Sequence, residues 1–528
     1  SSDLSWKILS QPMKFVGLIT FAFLASHLHA QQGLRGFDLH LELGGESTKS
    51  NYGKAVSPLG DVNGDLVDDF LVGADFADGN GFVESGSVFL YSGADGSVIY
   101  RLNGAGDGDK FGGSISPSDD VDGDGIRDFI VGSRLADTGA ASNAGQAIVF
   151  SGATGELIYR FQGTITNGFF GIAVAGVGDC DLDGISDFLV GSRGSLSSPG
   201  SVFLYSGADG LLIRQINGSV SKGAFGDSVS AIGDIDQDGG ADFLVGAPGA
   251  NSVYIYSGNT GGLIRLFSSF SSGSDAGFAV APIDDLSGDG LPDVLIGEPS
   301  AKTVHIYASN SGTFLGSVIG GSQHAEFGSS VISPGDVNLD GYADILIGAF
   351  DSVPSGGDNT GAAFLYSSVG GALLKQFNGD TDNGKFGSSV GYVGDVNRDN
   401  LPDFIIGSRH GDFQGIEQAG YADVYLTRHY LKLTIDGQVP EPLWLTAMYA
   451  DPGHRVAFYY GFPGTSTGDF FDCTGVTFDL DIPRLSRIYQ AGRNGKANFL
   501  IAVPPSATGR VVQALNMDNC EVSNPVTL

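Results

Sequence analysis

Cysteine, tryptophan and methionine are nearly missing from this 528-residue chain, which holds three Cys, two Trp and three Met. Three cysteines cannot build a disulfide-stapled scaffold or a four-thiolate zinc site. Basic residues are also sparse, 27 against 60 acidic ones, for a net charge of −33. Such a chain repels polyanions, which excludes nucleic acid and anionic lipid surfaces as partners. After the first thirty residues no apolar run approaches the roughly 18 residues of a membrane-spanning helix, so no membrane insertion of the mature chain is expected. The eight histidines have no metal-ligand spacing, and there is no Gly-x-Ser-x-Gly elbow, phosphate loop or His-Glu-x-x-His motif. Binding is therefore expected rather than catalysis.

What the chain has in excess is glycine, 84 residues, about twice the usual share. The glycines fall at fixed places in a repeat organised around an acidic turn, seen in full as Asp120-Val-Asp-Gly-Asp-Gly-Ile-Arg-Asp128. Seven copies start at Asp61, Asp120, Asp179, Asp234, Asp285, Asp336 and Asp395, at steps of 59, 59, 55, 51, 51 and 59 residues. A period of this size marks a propeller or solenoid.

Side-chain oxygens recur at positions 1, 3, 5 and 9 of the turn. The first three sets are Asp61, Asn63, Asp65, Asp69; Asp120, Asp122, Asp124, Asp128; and Asp179, Asp181, Asp183, Asp187. The next two are Asp234, Asp236, Asp238, Asp242 and Asp285, Ser287, Asp289, Asp293. The last two are Asp336, Asn338, Asp340, Asp344 and Asp395, Asn397, Asp399, Asp403. Carboxylates this close repel unless a hard cation lies between them, and Ca²⁺ accepts six to eight oxygens in irregular geometry. Up to seven structural Ca²⁺ are expected, which would reduce the net charge from −33 to −19. Position 6 is Gly in five copies, as a left-handed bend favours. Leu66 and Asn400 depart from it, so the first and seventh sites are expected to be weaker or more strained. An EF-hand would need Glu at position 12 and flanking helices. Here position 12 is Val or Ile inside a short apolar run, which reads as a buried strand.

Each unit reads in one order: an aromatic-Gly pair opening a first strand, the acidic turn, a second strand ending in Gly-Ala or Gly-Ser, a loop, a third strand, a Ser-Gly turn and a fourth. The pairs are Tyr52-Gly53, Phe111-Gly112, Phe170-Gly171, Phe225-Gly226, Phe327-Gly328 and Phe386-Gly387, with Gly277-Phe278 as the departure in the fifth unit. Four strands make a blade and seven blades close a ring. The expected fold is all-β, a seven-bladed β-propeller over residues 33–428 with a small C-terminal β-sandwich over 429–528.

Residues 1–32 read as a leader and secretory signal peptide, with Met13-Lys14 before the apolar run 15–25 and Ala30 before Gln31. A secreted or cell-surface location follows, and it permits a Cys473–Cys520 disulfide in the C-terminal domain. Cys180, at a non-ligand position of the third turn, is expected to be a free, half-buried thiol.

The aromatic-Gly opening, the Asp-x-Asp/Asn-x-Asp-Gly-x-x-Asp turn and the Gly-Ala-Pro strand end resemble FG-GAP repeats, which build the propeller of integrin α subunits and of many bacterial surface proteins. The resemblance covers residues 34–428. It implies a ring closed by Phe37-Asp-Leu-His-Leu41 as the outermost strand of the last blade. It also implies calcium turns, although integrin propellers carry them in only some blades. The ordinary spacing between the second and third units leaves no room for the domain many integrins insert there.

The acidic turns and the Ser-Gly turns belong on one face of such a ring. Long second-to-third loops, 75–86, 134–145, 350–361 and 409–420, lie in neighbouring units and form an arc on the other. Arg134, Arg409, Phe76, Phe350 and Phe413 are the candidate ligand residues there, since binding residues concentrate on such loops. The favoured function is a surface or matrix adhesion protein with an extracellular protein or polysaccharide partner. A calcium-dependent lectin-like propeller is the alternative, and a polysaccharide lyase comes third.

Overall fold

The computed structural model describes residues 35–429 apart from 140, 196–197, 269 and 355–358, together with the strands of the region 432–527, and side chains over 37–427. The leader and signal segment, the Cys473 side chain and Cys520 lie outside the described residues. The chain divides into two units, one spanning Phe37–Thr427 and the other holding the C-terminal region.

The larger unit is a ring of seven four-stranded antiparallel sheets. In blade 1 the strands are Tyr52–Gly60, Asp69–Ala74, Ser87–Tyr91 and Val98–Asn103, paired in that order. Blades 2 to 6 repeat it. Blade 7 takes Phe386–Gly394, Asp403–Ser408 and Tyr421–His429, and its outermost strand is Arg35–Gly44 from the start of the chain. The ends of the unit are thus paired, which leaves blade 7 no short edge.

Burial explains the sequence of each strand. Outside blade 6 the second strand is buried at every residue, as in Asp69–Ala74 and Asp242–Ala247, because neighbouring blades cover both of its faces. That is why it reads as an unbroken apolar run rather than an alternating one. The fourth strand, on the rim, is exposed or half-buried along most of its length.

The glycines sit where blades touch. A Cβ on Gly73, in the second strand of blade 1, would lie 2.1 Å from the carbonyl oxygen of Gly112, which follows Phe111 in blade 2. The same approach joins each blade to the next, including Gly407 of blade 7 against the Gly53 carbonyl of blade 1. The two recurring glycines of the repeat are one interblade contact seen from both sides.

The aromatic of each pair is buried against the third strand of its own blade, as Phe170 is against Phe203 at 5.3 Å and Phe327 against Phe364 at 5.5 Å. Blade 5 corrects the sequence reading. Gly277 takes the left-handed bend with Ala276, not Phe278, in the aromatic's place, and Phe278 is exposed. Phe270 compensates by packing on His305 and Tyr307 of the third strand, at 5.4 and 6.2 Å.

The C-terminal region forms two antiparallel sheets. One orders Lys432–Asp436, Leu443–Met448 and Ala497–Ile501. The other is built on a long hairpin of Arg455–Phe470 and Cys473–Gln490, extended by Val511–Asn516 and two short strands. Sequence patterning marked only the first six residues of that hairpin, because Gly and Pro interrupt the rest.

Candidate metal centres and the opposite face

Each acidic turn is a backbone cradle built by its own aspartates. In blade 2, Asp120 Oδ1 accepts the amides of Gly123 and Asp124 at 2.7 and 3.1 Å, and its Oδ2 accepts that of Gly125 at 2.8 Å. Asp128, which opens the second strand, is fully buried. It accepts Val121 N at 2.7 Å, Asp122 N at 3.3 Å and, from the turn between strands three and four, Gly152 N at 3.0 Å. Ser92, Ser206, Ser257 and Ser367 of the equivalent turns donate to position 5 carboxylates at 3.0–3.3 Å. The two sets of turns therefore share one face and brace one another.

Position 6 has positive φ in all seven copies, from 65° at Asn400 to 97° at Gly239. Leu66 adopts it at 70° while 80% exposed. A left-handed non-glycine residue carries about 1–2 kcal/mol of strain. Leu66→Gly is therefore expected to stabilise the chain by about 1 kcal/mol after the flexibility of glycine is offset. Chemical denaturation of the pair checks this, and an unchanged or lower midpoint would contradict it.

In blades 2 to 5 three carboxylates each bring an oxygen within 4.8 Å of the others: Asp120, Asp122, Asp128; Asp179, Asp181, Asp187; Asp234, Asp236, Asp242; and Asp285, Asp289, Asp293. Among the described residues none of these forms an ion pair with Lys or Arg. All-oxygen donors with uncompensated charge fit a hard divalent cation, and the irregular cradle fits Ca²⁺ better than the octahedral Mg²⁺. Blades 1, 6 and 7 hold Asn at position 3. The Asn338 amide nitrogen bridges Asp340 and Asp344 at 2.8 Å each, and a half-turn of that amide presents its oxygen instead.

Burial raises the carboxyl at position 9, opposed by the backbone amides it accepts. Asp128 and Asp242 rise to about 6 and Asp187 to about 7. Asp344 and Asp403 reach about 8, with their neighbouring acidic residues adding to burial. An unfolded Asp titrates near 3.9. Between about pH 4 and pH 8 the cation-free folded chain therefore holds more protons than the unfolded one, and its stability falls as pH rises. Metal-stripped protein is expected to melt higher at pH 5.5 than at pH 8. Calcium-saturated protein should show the reverse, because protons compete with the ion. Identical pH trends in the two forms would contradict this.

Cys180 Sγ, in the third turn, is fully buried rather than half-buried, and burial raises its thiol well above the usual range. It packs beneath Gly258 as a small apolar residue.

A match to the FG-GAP-like repeat model spans residues 285–347, the acidic turn and second strand of blade 5 through those of blade 6. Integrin alpha-V of Gallus gallus is 30% identical over 211 residues, 36% of this chain and 20% of that protein. Integrin alpha-5 of Xenopus laevis is 29% identical over 227 residues, 40% and 21% of the two chains. Integrin alpha-8 of Mus musculus is 32% identical over 191 residues, 32% and 18%. The order of the repeat, the count of blades and these matches agree. Residues 37–427 form an integrin-α-like FG-GAP propeller. The matched stretches span about a fifth of the length of these relatives. Among the described residues no helix is long and apolar enough to cross a membrane.

The face of the FG-GAP propeller opposite the acidic turns carries the remaining candidates. Short loops in blades 4 and 5 are closed by the single 3-10 turns Pro248–Ala250 and Pro299–Ala301. In blade 6 the second strand, Asp344–Ser352, runs two residues past Phe350, so the long loop starts later than the sequence pattern placed it. A cavity of about 290 Å³ gathers Phe76, Arg134 and Arg409 with Asn51, Lys54, Asp75 and His410. Phe350 stands beside it, its ring 4.9 Å from the Arg409 guanidinium. Phe413 stands apart and packs against the closing strand at Gly44 and the core of blade 7.

Sequence reasoning missed Lys54, Asp75 and His410. The signal was present. Lys54 directly follows the aromatic-Gly pair of its unit, where the other units carry Gly113, Ile172, Asp227, Phe278, Ser329 and Ser388. Asp75 directly follows the Gly-Ala end of the second strand, the place Arg134, Arg193 and Arg409 hold elsewhere.

Proposed function

We propose that this chain is an extracellular adhesion protein whose propeller is fixed by Ca²⁺ on one face and binds its ligand on the other. The observation that carries the reading is the separation of chemistry between the faces. Acidic oxygen clusters, without ion-pair partners among the described residues, lie in the turns of one face, and a cavity lined by cations and long neighbouring loops lies on the other. Similarity to integrin α chains supports an adhesive role, and the four carboxylate clusters support divalent cation binding. Calcium has a structural part here. It would tie the first-to-second-strand turn to the start of the second strand, beside the third-to-fourth-strand turn, and leave no chemistry to perform. Secretion accords with the apolar segment near residue 15 and with millimolar extracellular calcium, where even weak sites of this kind fill.

The test is an array of extracellular-matrix proteins and glycans probed with the full chain, in calcium and in chelator. Calcium-dependent binding to a protein ligand, lost when the loop 409–420 is shortened, is the expected result. Binding that survives loop shortening would remove the loop face from the reading. Binding to glycans alone would replace an adhesion protein with a lectin.

A further inference from the structure

We propose that the cavity on the loop face is a carboxylate site, which takes an Asp or Glu side chain of a protein ligand. The proposal rests on the functional reading above and gives its ligand a chemistry. Lys54, Arg134 and Arg409 share the cavity with one acid, Asp75. That acid is already engaged: it is fully buried, its Oδ2 accepts from Arg134 at 2.7 Å, and its Oδ1 accepts from Asn51 at 3.0 Å. Of the acids nearby, Asp351 pairs with Lys385, and Asp227 lies 3.5 Å from Arg193 with its buried Oδ1 in no hydrogen bond among the described residues. Among the described residues Lys54 and Arg409 therefore have no carboxylate in ion-pair contact, in a chain of net charge −33. The buried Nε of Arg409 has no hydrogen-bond partner there either.

An arrangement of this kind is unfavourable by itself. Burial holds the Lys54 ammonium down to about 8; Asp75 and Asp227 oppose that shift, while Arg409 and Arg134 add to it. Burial lowers Arg409 too, against the attraction of Asp75 and Asp351 and with Arg134 adding repulsion. An incoming anion relieves both groups at once, and a guanidinium fork matches a planar carboxylate. The volume, about 290 Å³, is at the small end of ligand pockets, roughly 300–1,000 Å³. It admits one side chain or one sugar, not a length of polymer.

The rings decide between those two. Sugar rings stack on open aromatic faces, and here cations already stand against both rings. The Lys110 ammonium lies 3.2 Å over Phe76, and Arg409 and Lys385 lie 4.9 and 5.8 Å from Phe350. A carboxylate presented by a protein needs only the cations.

The site can be read through Lys54, which is half-buried and open to the cavity. Full-length, calcium-saturated protein is treated with a limiting acetylating ester, and modification of Lys54 is followed by mass spectrometry at constant ionic strength. The probes are N-acetyl-aspartate amide, N-acetyl-asparagine amide and glucuronate. With Kd on the order of 10 mM, about 50 mM probe leaves roughly one site in six free, so modification slows about sixfold. The aspartate compound is expected to do this, and the asparagine compound is not. Arg409→Gln should abolish the protection, and Arg409→Lys should keep part of it. Equal rates with the two amides overturn the site, and this comparison needs no variant to fold. Stronger protection by glucuronate than by the aspartate compound overturns the protein side chain as ligand. Lys54 protection without adhesion would remove the functional reading and keep the site, and adhesion without protection would do the opposite.

Discussion

Removing the strand Arg35–Gly44 is expected to open the ring and drive the protein into aggregates. The strand is the outermost of blade 7, and its loss leaves Tyr421–His429 as a bare edge of unpaired backbone groups. It also strips side-chain packing. Phe37 meets Phe377 and Phe404 at 5.7 and 5.8 Å, and Leu41 and Leu43 pack against the core shared by blades 7 and 1. Phe37→Ala alone should lower stability by about 2 kcal/mol, because its ring is only half-buried. Full deletion should exceed the stability of an ordinary domain, about 5–15 kcal/mol, once the edge and the three apolar contacts are lost together. Size-exclusion chromatography and near-ultraviolet circular dichroism of the deletion variant decide this. A monomeric, cooperatively melting variant would show that the ring closes by another route.

Asp128→Ala has the second large effect, and it divides into two parts. Three backbone amides lose their acceptor, two in the turn and one at Gly152. Leaving the buried Gly152 amide unpaired costs about 1–3 kcal/mol and the two part-buried turn amides about 0.5–1.5 kcal/mol each, so a loss of about 2–6 kcal/mol is expected even without calcium. The second part is the lost cation, which appears only when calcium is present. Asp122→Ala separates the two. Asp122 is exposed and belongs to the same carboxylate cluster. Its removal should lower the melting temperature in calcium and leave it almost unchanged in chelator. Equal effects of Asp122→Ala in both conditions would mean that the turn owes its stability to hydrogen bonds alone.

The sequence made the repeat legible because the same constraint was written seven times. A single Asp-x-Asp-Gly turn is ambiguous, but seven in phase fix the strand order and the faces on which the turns lie. The closing strand was legible through the resemblance to integrin α repeats, which implied residues 37–41 as the outermost strand of the last blade. Where a constraint is met in an unusual way the pattern fails. In blade 5 Phe270 reaches the aromatic site from an earlier position in the chain, and no fixed spacing points to it.

The cavity on the loop face was half legible. Arg134, Arg409 and Phe76 belong to loops that the repeat aligns, so comparing units brought them together. Lys54 lies on a first strand and reaches the same space only through the closure of the ring, which joins blades 1, 2 and 7. Phe413 shows the opposite error. Its loop belongs to the arc, but an aromatic side chain finds burial where it can, and the closing strand offered it.

The most direct measurement is thermal unfolding of the full chain after calcium loading and after chelation, with bound calcium counted by mass spectrometry. Structural calcium in the acidic turns predicts at least one ion for each of the four carboxylate clusters. It also predicts a melting temperature that falls by more than about 10 °C on chelation, since several sites contribute by mass action. A chain that holds no calcium and melts at the same temperature in both conditions would contradict it.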